Sequence, residues 1–168
     1  MRFSLFPKLI TPRVTDLTAE FLQQKGIRLL MLDFDNTIVP YTTSKPTEEM
    51  LSWLKGMLAS PVAVCVVSNS HRSRVRRFCK KYGIDCITHA KKPFSKGIRE
   101  CLTKYGFAPG ECALAGDQIY TDVLGANCAG LYSIRVDAIS NHSLPLKARH
   151  LLEIPVRFVA RKRTLASR

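Results

Sequence analysis

Two aspartates, separated by one phenylalanine, follow an apolar run in the first quarter of the chain. The run Leu29 to Leu32 is followed at once by Asp33 and, two residues later, by Asp35. A carboxylate can attack phosphorus to give an aspartyl-phosphate. A second carboxyl close by can protonate the leaving oxygen and later deprotonate the attacking water. The pair therefore suits a two-step phosphoryl transfer in which each aspartate has its own task.

Further polar residues follow the later apolar runs of the chain. Ser68 and Asn69 end VAVCVV, Lys92 comes after IDCIT, and Asp117 ends ECALAG. If these runs are parallel strands, all of these groups lie at one edge of the sheet, where such sheets bind ligands. Carboxylates gathered in one place remain ionised most easily around a divalent cation, and oxygen ligands favour Mg²⁺. Ser68 and Lys92 would then hold the phosphoryl oxygens.

The segments around these residues alternate between two patterns. Five short runs are apolar on both faces, which is typical of buried parallel strands: 28–34, 62–67, 84–88, 111–117 and 131–136. Segments with helical spacing lie before, between and after the first four runs: 14–26, 47–58, 73–83, 94–106 and 121–130. This alternation predicts an α/β fold, a Rossmann-like parallel sheet of about five strands with helices on both faces. We expect one domain over residues 1–168, with a basic tail from about 140.

Composition narrows the class of protein. Lys and Arg number 26 against 13 Asp and Glu, a formal charge of +13 that favours anionic partners. The six cysteines form no CxxC pair, which indicates reduced thiols in a cytoplasmic protein rather than disulfides or a zinc site. No apolar stretch is long enough to span a bilayer. Pro7 and Pro12 interrupt the apolar start, so we do not expect a removed targeting segment.

Four short motifs occur in one order, each at the end of a predicted strand: DFDNT, VVSN, AKKP and GDQIYTD. Together they resemble the motifs of the haloacid dehalogenase superfamily. The resemblance implies that Asp33 is the nucleophile and Asp35 the general acid and base. It also implies that Mg²⁺ is bound by the carboxylates of Asp33 and Asp117 and by the main-chain carbonyl of Asp35. Asp122 would support these ligands without binding the ion itself. The alternative for Asp122 is a plain acid at a helix N-terminus.

The same motifs supply the candidate phosphate-binding residues. The resemblance implies that Ser68 and Lys92 bind the phosphate, and Asn69 and Thr37 are further candidates. For Asn69 and Thr37 the alternative is an ordinary role in a turn.

The resemblance extends to a subfamily, because the sequence leaves no room for a cap domain. Only eleven residues separate Asp35 from the helix that begins at Thr47. The chain is therefore similar to the uncapped subfamily IIIA, whose open sites take large substrates. FPKLITP and the four motifs together resemble the YqeG family, which is related to the mitochondrial phosphatidylglycerophosphate phosphatase. This implies hydrolysis of phosphatidylglycerophosphate, an anionic phospholipid, to phosphatidylglycerol and phosphate.

Two other functions stay open from the sequence. The first is a phosphatase of nucleotides or nucleic-acid ends. Nucleic acid is the less favoured partner, because Phe78 and Tyr82 in the basic run fall on a helical core face. The second is a non-catalytic phosphate-binding or scaffold protein on the same fold, although such a protein would not need Asp35.

The basic C-terminal tail suggests where the protein works. Residues 147–168 contain seven Lys or Arg and a single acid, Glu153. Basic residues near an anionic leaflet are attracted to it. We therefore expect a cytoplasmic protein that docks peripherally on the inner face of the membrane, the alternative being a solvated tail. The oligomeric state does not follow from the sequence.

Overall fold

A computed structural model of the chain describes residues 3–70 and 73–140. Six strands lie within these ranges: β1 (Leu9–Thr11), β2 (Leu29–Leu32), β3 (Ala63–Val67), β4 (Asp85–Ile87), β5 (Cys112–Gly116) and β6 (Tyr132–Val136). They form one sheet in the order β1-β6-β5-β2-β3-β4, and every neighbouring pair is parallel. The predicted parallel α/β fold is confirmed.

Five α-helices connect consecutive strands of the sheet. They are α1 (Ala19–Gln24), α2 (Glu48–Leu58), α3 (Ser73–Tyr82), α4 (Lys96–Tyr105) and α5 (Leu124–Ala129). Helix α2 begins directly after Thr47, which caps it, because the Met50 N–H donates to Thr47 Oγ1 at 3.2 Å. Helix α4 ends at Gly106, whose positive φ of 69° closes the last turn.

The helices cover both faces of the sheet, as the strand pattern predicts. Alternate residues of β2 enter different cores: Leu30 and Leu32 pack with α1, α2 and α3, whereas Leu29 and Met31 pack with α4 and α5. All four β2 side chains are fully buried. A strand that is apolar on both faces is stable only where both faces are covered, and β2 accordingly lies in the middle of the sheet.

The sequence pattern does not predict the first strand. β1 is three residues long, follows Pro7 closely and ends immediately before Pro12. It pairs with β6, where Leu9 lies opposite Ile134 and Thr11 opposite Val136. A run this short carries no readable alternation, and its partner is the last strand of the sheet. The sheet therefore has six strands rather than about five.

The strand order creates a crevice between two central neighbours. From β2 the chain proceeds to β3 and β4 on one side of the sheet and then crosses back to β5 and β6 on the other. Loops at the carboxyl ends of β2 and β5 therefore leave in opposite directions, which opens a ligand-binding crevice. Asp33 follows β2 and Asp117 follows β5.

This edge carries no inserted domain in the part of the chain that the structure describes. Residues 33–47, between β2 and α2, contain only an isolated bridge between Asp35 and Val39. Residues 68–84, between β3 and β4, contain α3. None of the described helices is both long and apolar enough to cross a bilayer. The basic tail that the sequence predicts from about residue 140 lies outside the described residues.

Candidate active site

Three buried carboxylates meet at the crevice. Asp33, Asp117 and Asp122 are exposed to 6%, 0% and 1%, and each offers an oxygen within 4.8 Å of the others. The backbone brings two of them together, since the Asp33 N–H donates to the Ala115 carbonyl of the neighbouring strand at 2.9 Å. Strand pairing therefore holds residues more than eighty positions apart in sequence at one point.

Lys92 lies among these carboxylates and is itself buried. Its Nζ is 2.6 Å from Asp33 Oδ1 and 2.7 Å from Asp122 Oδ1. Burial disfavours the charged lysine, but the charges of Asp122 and Asp33 outweigh burial and raise the pKa of Lys92 above its usual value. Lys92 therefore remains a cation beside Asp33, where it can neutralise a phosphoryl group.

The carboxylates carry more negative charge than one lysine can balance. Burial raises the pKa of Asp33 to about 6, Lys92 opposes the rise, and Asp122 adds to it. Burial, followed by the charges of Asp122 and Asp33, also raises the pKa of Asp117 well above its usual value. Both carboxylate oxygens of Asp117 find no hydrogen-bond partner among the described residues. A buried carboxylate without a partner is a place where an ion belongs.

The residues present fit a divalent cation. Asp33 and Asp117 would hold it, because the oxygens of Asp122 are already engaged: Oδ1 with Lys92, and Oδ2 with the Gln118 N–H at 3.1 Å. An all-oxygen set of this kind suits Mg²⁺, which shares its coordination with water and phosphate. When bound, such an ion supplies positive charge to the phosphoryl oxygens.

The side chain of Asp35 has a partner that sequence reasoning missed. It forms an ion pair with Arg74, from the first turn of α3. The Arg74 Nη1 donates to the Thr43 carbonyl at 2.8 Å. Its guanidinium lies 5.3 Å from the ring centre of Phe34 and 5.7 Å from that of Tyr41. The only sequence signal was a basic run, which does not show which of its arginines turns toward the site.

The loop between the two aspartates and α2 is a tight turn. The Asn36 N–H donates to the Val39 carbonyl at 2.7 Å, with a positive φ of 61° at Asn36. Thr37 is buried, and its hydroxyl finds no partner among the described residues. Thr37 lines a cavity of about 440 Å³ whose other walls come from residues 12–15, 38–50 and 137–139, and none of the candidate metal ligands borders it.

Ser68 and Asn69 continue β3 into the Lys92 loop. Ser68 is buried, and its Oγ accepts from the Ser70 N–H at 3.1 Å. The Asn69 Nδ2 donates to the Lys92 carbonyl at 2.9 Å, and its Oδ1 accepts from the Lys92 N–H at 2.7 Å. The Asn69 amide therefore holds the backbone that carries the lysine.

Gly116, the last residue of β5, is required by the packing behind the site. A Cβ at this position would overlap the carboxylate of Asp122. Only glycine lets Asp122 lie close enough to the strand to reach Lys92. Sequence reasoning did not single out Gly116, although it begins GDQIYTD.

Comparison with known proteins identifies the family of the chain. A family profile described as mitochondrial PGP phosphatase matches residues 2–139. A probable phosphatase, YqeG, of Bacillus subtilis (strain 168) is 29% identical over 135 residues, covering 80% of this chain and 78% of the relative. Phosphatidylglycerophosphate phosphatase 1, chloroplastic/mitochondrial, of Arabidopsis thaliana is 23% identical over 153 residues, covering 84% of this chain and 43% of the relative.

A solved structure shares the fold. A HAD-superfamily hydrolase from Ehrlichia chaffeensis superposes with a TM-score of 0.51 at 16% identity, over 66% of this chain and 88% of that one. The family profile, in turn, spans all six strands and all four motifs. The chain therefore belongs to the mitochondrial PGP phosphatase family and is a phosphatase, and it has the fold of a HAD-superfamily hydrolase.

Proposed function

We propose that the protein is a magnesium-dependent phosphomonoester hydrolase that works through an aspartyl-phosphate on Asp33. The observation that carries this proposal is the buried group of Asp33, Asp117, Asp122 and Lys92 at the crevice. It combines a nucleophile, a lysine cation and two unpartnered carboxylate oxygens on Asp117. A scaffold protein would have no use for unpartnered buried carboxylates.

The chemistry of the chain's own residues follows in two steps. An oxygen of Asp33 attacks phosphorus, the bond to the leaving oxygen breaks, and Asp35 gives its proton to that oxygen. Asp35 then takes a proton from water, the water oxygen attacks phosphorus, and the bond to Asp33 breaks to release phosphate. With a pKa of about 6, Asp33 is mostly ionised at neutral pH and able to attack. Lys92 neutralises the phosphoryl oxygens through both steps.

The proposed substrate is an anionic phospholipid with a terminal phosphate, namely phosphatidylglycerophosphate. The match to the mitochondrial PGP phosphatase family and to the Arabidopsis phosphatidylglycerophosphate phosphatase supports this substrate. The open edge supports it as well, because nothing in the described residues closes over the crevice to grip a small leaving group.

Exposed apolar side chains around the site also support a lipid substrate. Phe94, two residues after Lys92, is 74% exposed. Tyr41 and Ile139 are exposed too. Both are hydrogen-bonded to Asn36, the residue after Asp35. The Tyr41 N–H donates to Asn36 Oδ1 and the Ile139 N–H donates to the Asn36 carbonyl, each at 3.0 Å. An apolar rim around a site on a basic protein suits the surface of an anionic bilayer.

The proposed location follows from this rim and from the charge of the chain. The protein would be cytoplasmic and bind peripherally at the inner face of the membrane. Nucleic acid is the less favoured partner, because Phe78 and Tyr82, the aromatic residues of the basic helix α3, pack in or against the core and are not presented to bases.

The test of the function is phosphate release by the purified protein in the presence of Mg²⁺. The panel contains phosphatidylglycerophosphate in mixed micelles, nucleotides, 5′-phosphorylated DNA and small sugar phosphates. We expect fast release from the lipid, weak release from the sugar phosphates, and none after chelation of the metal. Faster release from a nucleotide or a DNA end would overturn the lipid assignment, and release unaffected by a chelator would overturn the metal requirement.

The rim has a matched test. Phe94→Ser removes an exposed apolar side chain beside the site, whereas Leu58→Ser removes one that is 40% exposed at the end of α2, at the opposite edge of the sheet. We expect Phe94→Ser alone to slow hydrolysis of the lipid in vesicles. Equal effects of the two changes would show that the rim is not a membrane contact.

A further inference from the structure

A second cavity begins at the edge of the active site. Its volume is about 200 Å³, and it is lined by Ser44, Arg74, Arg77, Phe78, Lys81 and Tyr82. Arg74 belongs to both places, because its guanidinium also forms the ion pair with Asp35. The cavity therefore adjoins the site at the side chain of Arg74.

Three of the residues that line this cavity are cations on one face of α3. Arg74, Arg77 and Lys81 are three and four residues apart, so they share one side of the helix. At a rise of about 1.5 Å per residue, Arg77 lies about 4.5 Å and Lys81 about 10.5 Å from Arg74 along the helix axis. The row leads away from the catalytic aspartates, because α3 begins at the carboxyl edge of the sheet and runs back toward the other edge.

The positive charge of this cavity is not balanced. Helix α3 carries five basic residues and no acid. Arg77 and Lys81 are exposed and form no ion pair within residues 3–70 and 73–140. Other surface cations do have acidic partners, for example Arg28 with Glu111 and Lys104 with Asp85. A concave, basic and uncompensated surface attracts anions.

We propose that this cavity binds a second phosphate group of the substrate molecule whose terminal phosphate is attacked by Asp33. The inference rests on the proposed function and extends it to a substrate class, phosphomonoesters that carry a second phosphate linked by a short spacer. Arg77 and Lys81 bind the second phosphate. Arg74 is already occupied by Asp35 and the Thr43 carbonyl, and it separates the two anionic groups.

Such a subsite explains how an uncapped site could select its substrate. Binding energy from a non-reacting part of the substrate can position the reacting part. A cation pair that contacts a second phosphate favours the two-phosphate molecule over a monoester that lacks it. Arginine adds to this preference because its planar group can contact two phosphate oxygens at once.

The test compares two soluble substrates in the absence of any membrane. Glycerophosphoglycerol phosphate carries a monoester and a diester phosphate, whereas glycerol 3-phosphate carries the monoester alone. The measurement is the ratio of kcat/KM on the first to kcat/KM on the second. We expect Arg77→Ala/Lys81→Ala to lower this ratio on the order of tenfold, mainly through a higher KM, because two charge-assisted contacts are lost.

The chain offers a control with the same change of charge. Arg76→Ala/Lys80→Ala removes two cations from another face of α3, where the Arg76 Nη2 donates to Thr88 Oγ1 at 3.2 Å. We expect this variant to keep the ratio of the unmodified protein. A ratio that falls equally in both variants would show that the effect comes from overall charge. A ratio unchanged in both would show that the cavity does not bind the second phosphate.

Two further outcomes separate this inference from the proposed function. If Arg77→Ala/Lys81→Ala slowed only the hydrolysis of lipid in vesicles, Arg77 and Lys81 would form a membrane contact and the second-phosphate site would be wrong. If no substrate released phosphate, the proposed function would fail, and calorimetry on the Asp33→Asn protein would still decide the inference. Tighter binding of the two-phosphate probe, lost in Arg77→Ala/Lys81→Ala, would support the subsite, and equal binding of both probes would overturn it.

Discussion

Asn69 and Lys92 are joined by two hydrogen bonds between the Asn69 amide and the Lys92 backbone, of 2.9 Å and 2.7 Å. The lysine in turn places its Nζ 2.6 Å from Asp33. Asn69 lies in the loop after β3 and Lys92 in the loop after β4, so the pair joins two loops at the edge of the site. This arrangement gives Asn69 a positioning role through Lys92, in addition to any contact with phosphate.

We expect Asn69→Ala to lower kcat by about 10- to 100-fold, because small displacements of catalytic groups cost this much. A double-mutant cycle with Lys92→Ala checks the cause. If Asn69 acts through Lys92, Asn69→Ala should cost little in the Lys92→Ala background. Losses that simply add would show that Asn69 acts on the phosphate by itself.

Asp33→Asn should reduce turnover to background while preserving the fold, because the amide keeps the shape of the side chain without its attacking charge. Rapid acid quenching with ³²P-labelled substrate should leave label on the unmodified protein that hydroxylamine removes, and none on the variant. Normal turnover by a well-folded Asp33→Asn protein would refute the nucleophile. Circular dichroism of both proteins is the control for folding.

Asp35→Asn should lower the rate on an alkyl phosphate by about 10²- to 10⁴-fold, because the leaving oxygen then receives no proton. The loss should be smaller with p-nitrophenyl phosphate, whose leaving group hardly needs protonation. Comparing the two substrates therefore tests proton transfer separately from binding. Equal losses on both would assign Asp35 another role, such as holding Arg74 in place.

The metal-free protein should lose stability as the pH rises from about 4 to about 6, the interval between the ordinary and the raised pKa of Asp33, and further as Asp117 ionises. Burial raises the pKa of Asp33 from 3.8 to about 6 and raises that of Asp117 in the same direction. A carboxyl with a raised folded-state pKa stabilises the fold while it is protonated, and this contribution is lost as the pH rises through that pKa.

Added Mg²⁺ should therefore raise Tm more at pH 7.5 than at pH 5, by at least about 5 °C at 100 times its Kd. Thermal unfolding with and without the ion is the measurement, and Asp117→Asn is the matched variant. It should show a smaller Mg²⁺ shift and a weaker loss of stability with pH. A Mg²⁺ shift of the same size in Asp117→Asn would place the ion elsewhere.

Gly116→Ala should lower activity about 10-fold or more, because its Cβ would displace the Asp122 carboxylate that holds Lys92. Gly110→Ala is the control, since a Cβ at that position meets nothing within 4 Å. Steady-state kinetics and Tm of both variants separate the effects. Full activity in a folded Gly116→Ala protein would show that the position of Asp122 is not critical.

The sequence by itself was sufficient to predict most strands of the sheet and the edge at which the motif residues meet. Runs such as Leu29 to Leu32, apolar on both faces, can only be buried on both sides, and that requires a sheet between two layers of helices. Once the strands are parallel, Asp33, Lys92 and Asp117 must follow their carboxyl ends at one edge. These conclusions depend only on local pattern and on the direction of the chain.

The partners of these residues were decided by the tertiary structure. Which of the arginines in the basic run reaches Asp35 depends on the rotation of α3 against the sheet, and that rotation is set by the packing of Val75 and Phe78. β1 forms because it pairs with the edge of β6, a strand near the far end of the described chain. Contacts between residues distant in sequence leave no local pattern to read, because their energy arises only when packing brings the two segments together.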